Sequence, residues 1–167
     1  MSDLQKLLTE FAADRVALIE RHEASARTVS HYDFNNAYQY VINREETHLS
    51  WLQTALSEYA ATLPPAGADA LPAPPAPKRG AKVESGAFRS ILEDDARYLG
   101  GFVEKWRAPV DAMTHARHRN MLNVILGESI EHQRLFEQAA AGFEDLLGRR
   151  TGGVPRVGAV LPTRWLE

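Results

Sequence analysis

"VINREETHLSWLQTAL", residues 41–56, decides how the chain is read. At about 100° per residue, Val41, Ile42, Leu49, Leu52 and Leu56 fall along one side of a helix. Glu45 lies at the centre of that apolar stripe and His48 on its shoulder, while Glu46 points away. A carboxylate and an imidazole that face a core are either ligands to a metal or polar groups satisfied by neighbouring side chains. The rest of the chain weighs on that choice.

The stretch belongs to a helical segment that begins after Asp33, a candidate N-cap, and runs to about residue 61. Before it, residues 3–25 place Leu4, Leu7, Leu8, Phe11, Leu18, Ile19 and His22 on one side. After it comes "LPPAGADALPAPPAPKRG", which holds six of the nine prolines and cannot continue a helix, so residues 63–84 are expected as an extended crossover. A third segment, residues 85–106, aligns Phe88, Ile91, Leu92, Leu99, Phe102 and Trp106, with Pro109 marking a turn. A fourth opens at Asp111 and runs to about residue 147 through Met121, Val124, Ile125, Leu135, Phe136, Ala139 and Leu146. Strand signals are nearly lacking. An all-α four-helix bundle over residues 1–148 is therefore expected, with an extended tail over 149–167 whose Val, Leu and Trp residues cap the bundle or reach a second subunit in a homodimer.

Composition excludes several classes. The 167 residues carry a net charge of −3, with no dense basic face for nucleic acid. No run approaches the roughly 18 apolar residues of a membrane span, and "MSDLQKLLTEF" lacks the features of a signal peptide, so a cytoplasmic protein is expected. With no cysteine, any metal site must use His, Asp and Glu.

The inward polar residues recur on separate helices. Asp95 lies between Ile91 and Leu99, and Glu128 and His132 fall among Val124, Ile125, Leu135 and Phe136, with Glu131 toward the edge. An unpaired buried carboxylate costs several kcal/mol, so cations must sit among these acids. A divalent metal would serve, since it also takes neutral imidazoles; Arg15, on the first segment's stripe, is the one basic side chain placed to substitute. If the crossover spans the bundle, Glu45, Asp95 and His132 lie at similar depths, level with residues 10–15 of the first segment.

The pattern resembles the ferritin-like superfamily of di-iron carboxylate proteins, the erythrin or rubrerythrin type in particular. "EETH" supplies a Glu-x-x-His motif as Glu45 and His48, "ILEDDARYL" offers Asp95, and "GESIEHQRLFE" offers Glu128 with His132 at a spacing of four, Glu131 standing where strict spacing puts the histidine. In "LLTEFAADRVA" the acid position falls on Asp14. The resemblance implies two iron ions, with manganese or zinc as substitutes, held by these residues. It also implies oxidation of Fe(II), reduction of peroxide or dioxygen, or oxidation of a small substrate, with electrons from a partner protein. A second expectation is a mononuclear, histidine-rich enzyme of the DinB-like type using His48, His132 and either His22 or His31. A third is a non-enzymatic scaffold for a protein partner, in which Glu45 pairs with Arg15 and Asp95 bonds Tyr38 or Tyr98.

Overall fold

The computed structural model describes residues 2–76 and 85–148, and within them the only regular structure is helical. Four long helices span Asp3–Thr28 (α1), Tyr32–Ser57 (α2), Arg89–Asp111 (α3) and Ala116–Ala140 (α4), with a 3-10 turn at Ser85–Phe88 leading into α3. The expected tail, and residues 77–84 of the expected crossover, lie outside the described residues.

Local chemistry moves several boundaries from where patterning put them. α2 starts at the imidazole of His31, whose Nδ1 accepts from the Phe34 N–H at 3.5 Å, so Asp33 sits inside the first turn and is not the cap. Pro109 lies within the last turn of α3 and does not end it; its missing N–H costs one bond, and the helix continues through buried Val110 to Asp111. Asp111 therefore closes α3, while α4 is opened by His115, which accepts from the His118 N–H at 3.3 Å. α4 stops at Ala140, short of residue 147. Gly142 adopts a φ of +97°, which only glycine takes without strain, and the Phe143 N–H turns back to the Gln138 carbonyl at 3.0 Å.

The short links α1–α2 and α3–α4 make antiparallel pairs. Phe11 meets Phe102 and Trp106, and Arg21 meets Asp95, so α1 and α3 are antiparallel too. α2 and α3 then run the same way, and the chain between them must return along the bundle. It does so beside α1, where the Gly67 N–H donates to Glu20 at 2.9 Å and Arg21 donates to the Pro72 carbonyl. α1 packs on α2 and α3, and α4 on α3 and α2, leaving α1–α4 and α2–α3 as the diagonals.

Leu8, Phe11, Leu52, Leu56, Leu122 and Ile125 fill one half of the interior, and Phe34, Tyr38, Leu92 and Phe136 the other. Each such side chain contributes about 1.5–3 kcal/mol by leaving water. Between the two halves lies a polar layer that the apolar packing seals. No helix among the described residues is long and apolar enough to cross a membrane.

Candidate functional site

The layer is assembled from three helices. Arg15 and His22, seven residues apart on α1, face the same way, as do Glu45 and His48 on α2 and Ser129 and His132 on α4. All six are buried. Arg15 Nη1 donates to Glu45 Oε1 at 2.8 Å, and His22 Nδ1 pairs with Glu45 Oε2 at 2.8 Å, so each carboxylate oxygen already has a partner. Across the diagonal, Arg15 Nη2 reaches Ser129 Oγ at 2.5 Å. The guanidinium also lies over the Phe102 ring, 4.4 Å from its centroid.

Electrostatics follow from this packing. Burial lowers the Arg15 pKa from its ordinary value, and the charge and hydrogen bond of Glu45 oppose that loss. Burial by itself pushes the Glu45 carboxyl up, but His22 and then Arg15 outweigh it and hold the group below its ordinary value. The His48 and His132 rings are both pushed down to about 4, by burial first and by Arg15's charge as well. Both are therefore neutral near pH 7.

His48 Nε2 lies 2.8 Å from Glu128 Oε2, and Glu128 is itself gripped by Arg44 through two bonds of 3.0 and 2.7 Å. Glu128 does not enter the layer as the stripe suggested. The inward register of α4 is Ile125, Ser129, His132 and Phe136, so Glu128 stands at the helix edge with 28% of its side chain exposed. Because that pair faces water, Arg44→Ala is expected to cost under about 1 kcal/mol in a urea titration.

Asp95 belongs to a second cluster. Its Oδ1 accepts from Arg21 Nε at 2.7 Å and its Oδ2 from the Tyr38 hydroxyl, all three side chains being buried. Tyr38 precedes Glu45 by two turns of α2, about 10 Å along the axis, so Asp95 lies toward a different level. Burial, and next the Asp95 charge, raises the Tyr38 pKa well above its usual value. Asp14 bonds Lys105 at 2.6 Å and the Trp106 indole at 2.7 Å, away from the layer. Glu131 is exposed and pairs with Arg134 at 2.8 Å.

Each of the three acids expected to face inward thus has its own arginine: Arg15 for Glu45, Arg21 for Asp95, Arg44 for Glu128. Arg15 was placed to do so by its position on the stripe. Arg21 and Arg44 gave no such signal, because a long side chain can start at a helix edge and still bring its head inward. Ser129 was also missed, although it stands three residues before His132, where a Glu-x-x-His spacing has its acid.

What remains open to a ligand is nitrogen. His22 Nε2, His48 Nδ1 and His132 Nδ1 are buried without a hydrogen-bond partner. On His22 and His48 the other nitrogen is engaged by a carboxylate, the arrangement that fixes an imidazole for metal ligation. Imidazole nitrogen is a donor type that transition-metal ions accept. These donors do not form a metal-sized group, however: the His48 and His132 rings stack with centroids 6.4 Å apart. Among the described residues, the one group of three or more His, Asp and Glu whose ligand atoms lie within 4.8 Å of one another is His31, Asp33 and Glu144. There, His31 Nδ1 accepts the α2 cap bond, which leaves the proton on Nε2, 3.4 Å from Glu144. A nitrogen carrying a proton is a donor and not a ligand.

Comparison of the chain with protein-family models, with curated proteins and with solved structures found no match.

Proposed function

We propose that this chain is a ferritin-like helical bundle that binds a single transition-metal ion in its core, on His48 and His132 with His22 and Glu45 in reach. The observation that carries the reading is the set of three buried imidazole nitrogens, from α1, α2 and α4, that lack any hydrogen-bond partner. A buried polar atom left unpaired costs roughly 1–3 kcal/mol, a cost that a bound ion would offset. When bound, iron or manganese would supply one-electron chemistry toward peroxide or dioxygen, and zinc a Lewis acid.

The chain's own groups have definable tasks in this reading. Glu128 holds the His48 proton on Nε2 and so turns Nδ1 inward as a bare lone pair. Glu45 orients the His22 ring through Nδ1. The surrounding Leu52, Leu122, Ile125 and Phe136 exclude water and keep His48 and His132 neutral, the form that ligates.

Two ions, the reading closest to the di-iron resemblance, have weaker support. Such a centre needs several carboxylates to offset its charge, and here Asp95 is held by Arg21 and Tyr38 while Arg15 already neutralises Glu45. The three arginine–carboxylate pairs favour a second reading instead, a bundle that needs no metal and serves as a scaffold.

Elemental analysis of protein purified without an affinity tag separates these. One metal ion per chain is expected, lost in His48→Ala. Chelation should lower the melting temperature, consistent with about 2.7 kcal/mol for a ligand held at a hundred times its Kd. Two ions per chain would restore the dinuclear reading. No metal, with melting indifferent to chelator and to added Zn2+, Mn2+ or Fe(II), would leave the scaffold.

A further inference from the structure

We propose that the outer groove between α2 and α4 is a docking site for the chain's own residues 149–167, with the apolar stretch 154–161 seated in it. The groove, about 490 Å3 in volume, is walled by Tyr40 of α2, by Glu131, Leu135 and Gln138 of α4, and by Leu146 and Leu147 of the turn that follows α4. Four large apolar side chains are exposed among the described residues, and three of them gather here. Tyr40 stands in the groove itself, while Tyr32 and Phe143 adjoin His31 and Glu144, which pair at 3.4 Å where the turn meets the start of α2. Apolar side chains collected on one exposed face mark an interaction surface.

The occupant follows from where the described chain leaves off. Beyond Gly142 the backbone turns back on α4 and carries Leu146 and Leu147 to the groove wall, and the next residue, Gly148, is the last one described there. Residues 149–167 therefore set out from the groove itself. Their sequence offers Val154, Val157, Val160 and Leu161, with Pro155 and Pro162 favouring an extended chain. Reach is ample: Glu131 to Gln138 is about 10 Å along α4, and six extended residues, 149–154, cover up to about 20 Å. Charge agrees as well. In a chain of net −3, this segment carries Arg149, Arg150, Arg156 and Arg164 against the single acid Glu167. Glu131 on the wall is bound to Arg134 only through an exposed pair, so a second arginine joins that carboxylate at little cost. Tethering then decides between this segment and a second copy of the chain, because a short linker holds the segment at an effective concentration on the order of millimolar. Once docked, it covers Tyr40, whose ring stands edge-on to His132 at 5.9 Å between centroids, and so closes the polar layer from this side.

The chain has no cysteine, so Thr163→Cys places a single nitroxide spin label beside the docked stretch. In 15N-labelled full chain without added metal, the amide signals of Tyr40, Leu135 and Gln138 are expected to vanish while the label is paramagnetic and to return when it is reduced. A mixture of spin-labelled 14N chain with unlabelled 15N chain should show no such loss, since the contact is made within one molecule. Tyr40→Lys sets a cation in the groove against the arginines, and should restore the Leu135 and Gln138 signals while those of α1 and α3 keep their positions. An equal loss in the mixed sample would put the segment on a second copy and overturn the inference. Losses elsewhere or nowhere, or losses that survive Tyr40→Lys, would overturn it too.

Discussion

Arg15→Met is expected to destabilise the chelator-treated protein by about 3–5 kcal/mol, since it removes the guanidinium from a buried carboxylate and leaves His22 as its partner. For a chain of this size that is a fall in melting temperature of roughly 10 °C. The loss is electrostatic, and Arg15→Met with Glu45→Gln should therefore recover most of it, because no ion is then left unpaired. Chemical denaturation of wild type, both singles and the double gives the coupling energy directly. If Arg15→Met were as harmless as Arg44→Ala, the guanidinium would not be the cation that makes Glu45 tolerable. The contrast with Arg44 isolates burial as the cause, for both arginines grip a glutamate at short distance, but only one pair is wholly out of water.

Stability should also fall steeply between about pH 6.5 and pH 4. Free histidine titrates near 6.5, whereas His48 and His132 in the fold are pushed down to about 4. In that window the unfolded chain binds more protons than the folded one, so stability is full above about 6.5 and declines as the pH drops. A depression of this size corresponds to about 3 kcal/mol for each imidazole at most. Glu45, held below its ordinary value, adds a loss of the same sign at still lower pH. Urea midpoints at pH 7, 5.5 and 4.5 would show the slope, and His48→Gln should flatten part of it. A midpoint unchanged across that range would mean that the rings are open to water.

Patterning reached far into this molecule, and its limits have physical causes. The four apolar stripes foretold four helices, and the inward placement of Glu45, His48, Asp95 and His132 agrees with their burial. Stripe geometry reports where a Cβ points, and that is enough for short side chains. It fails for Arg21 and Arg44, whose heads lie several bonds away from their starting direction, and it ranks Glu128 above Ser129 because a serine in a stripe draws no notice. Helix ends fared worst. Histidine side chains at His31 and His115 took the capping role expected of aspartates, and Pro109 fell where α3 had only two residues left to form.

The guanidinium of Arg21 is divided between the Asp95 carboxylate of α3 and the Pro72 carbonyl of the returning chain. That peptide oxygen is consequently wired, through a side chain of α1, to a buried acid of α3. Clipping or shortening the strap near Pro72 would orphan a charged donor in the interior, and the damage would surface where α1 meets α3 while the solvent side stayed intact. A surface segment rich in proline thus doubles as a fastener for the inside of the bundle.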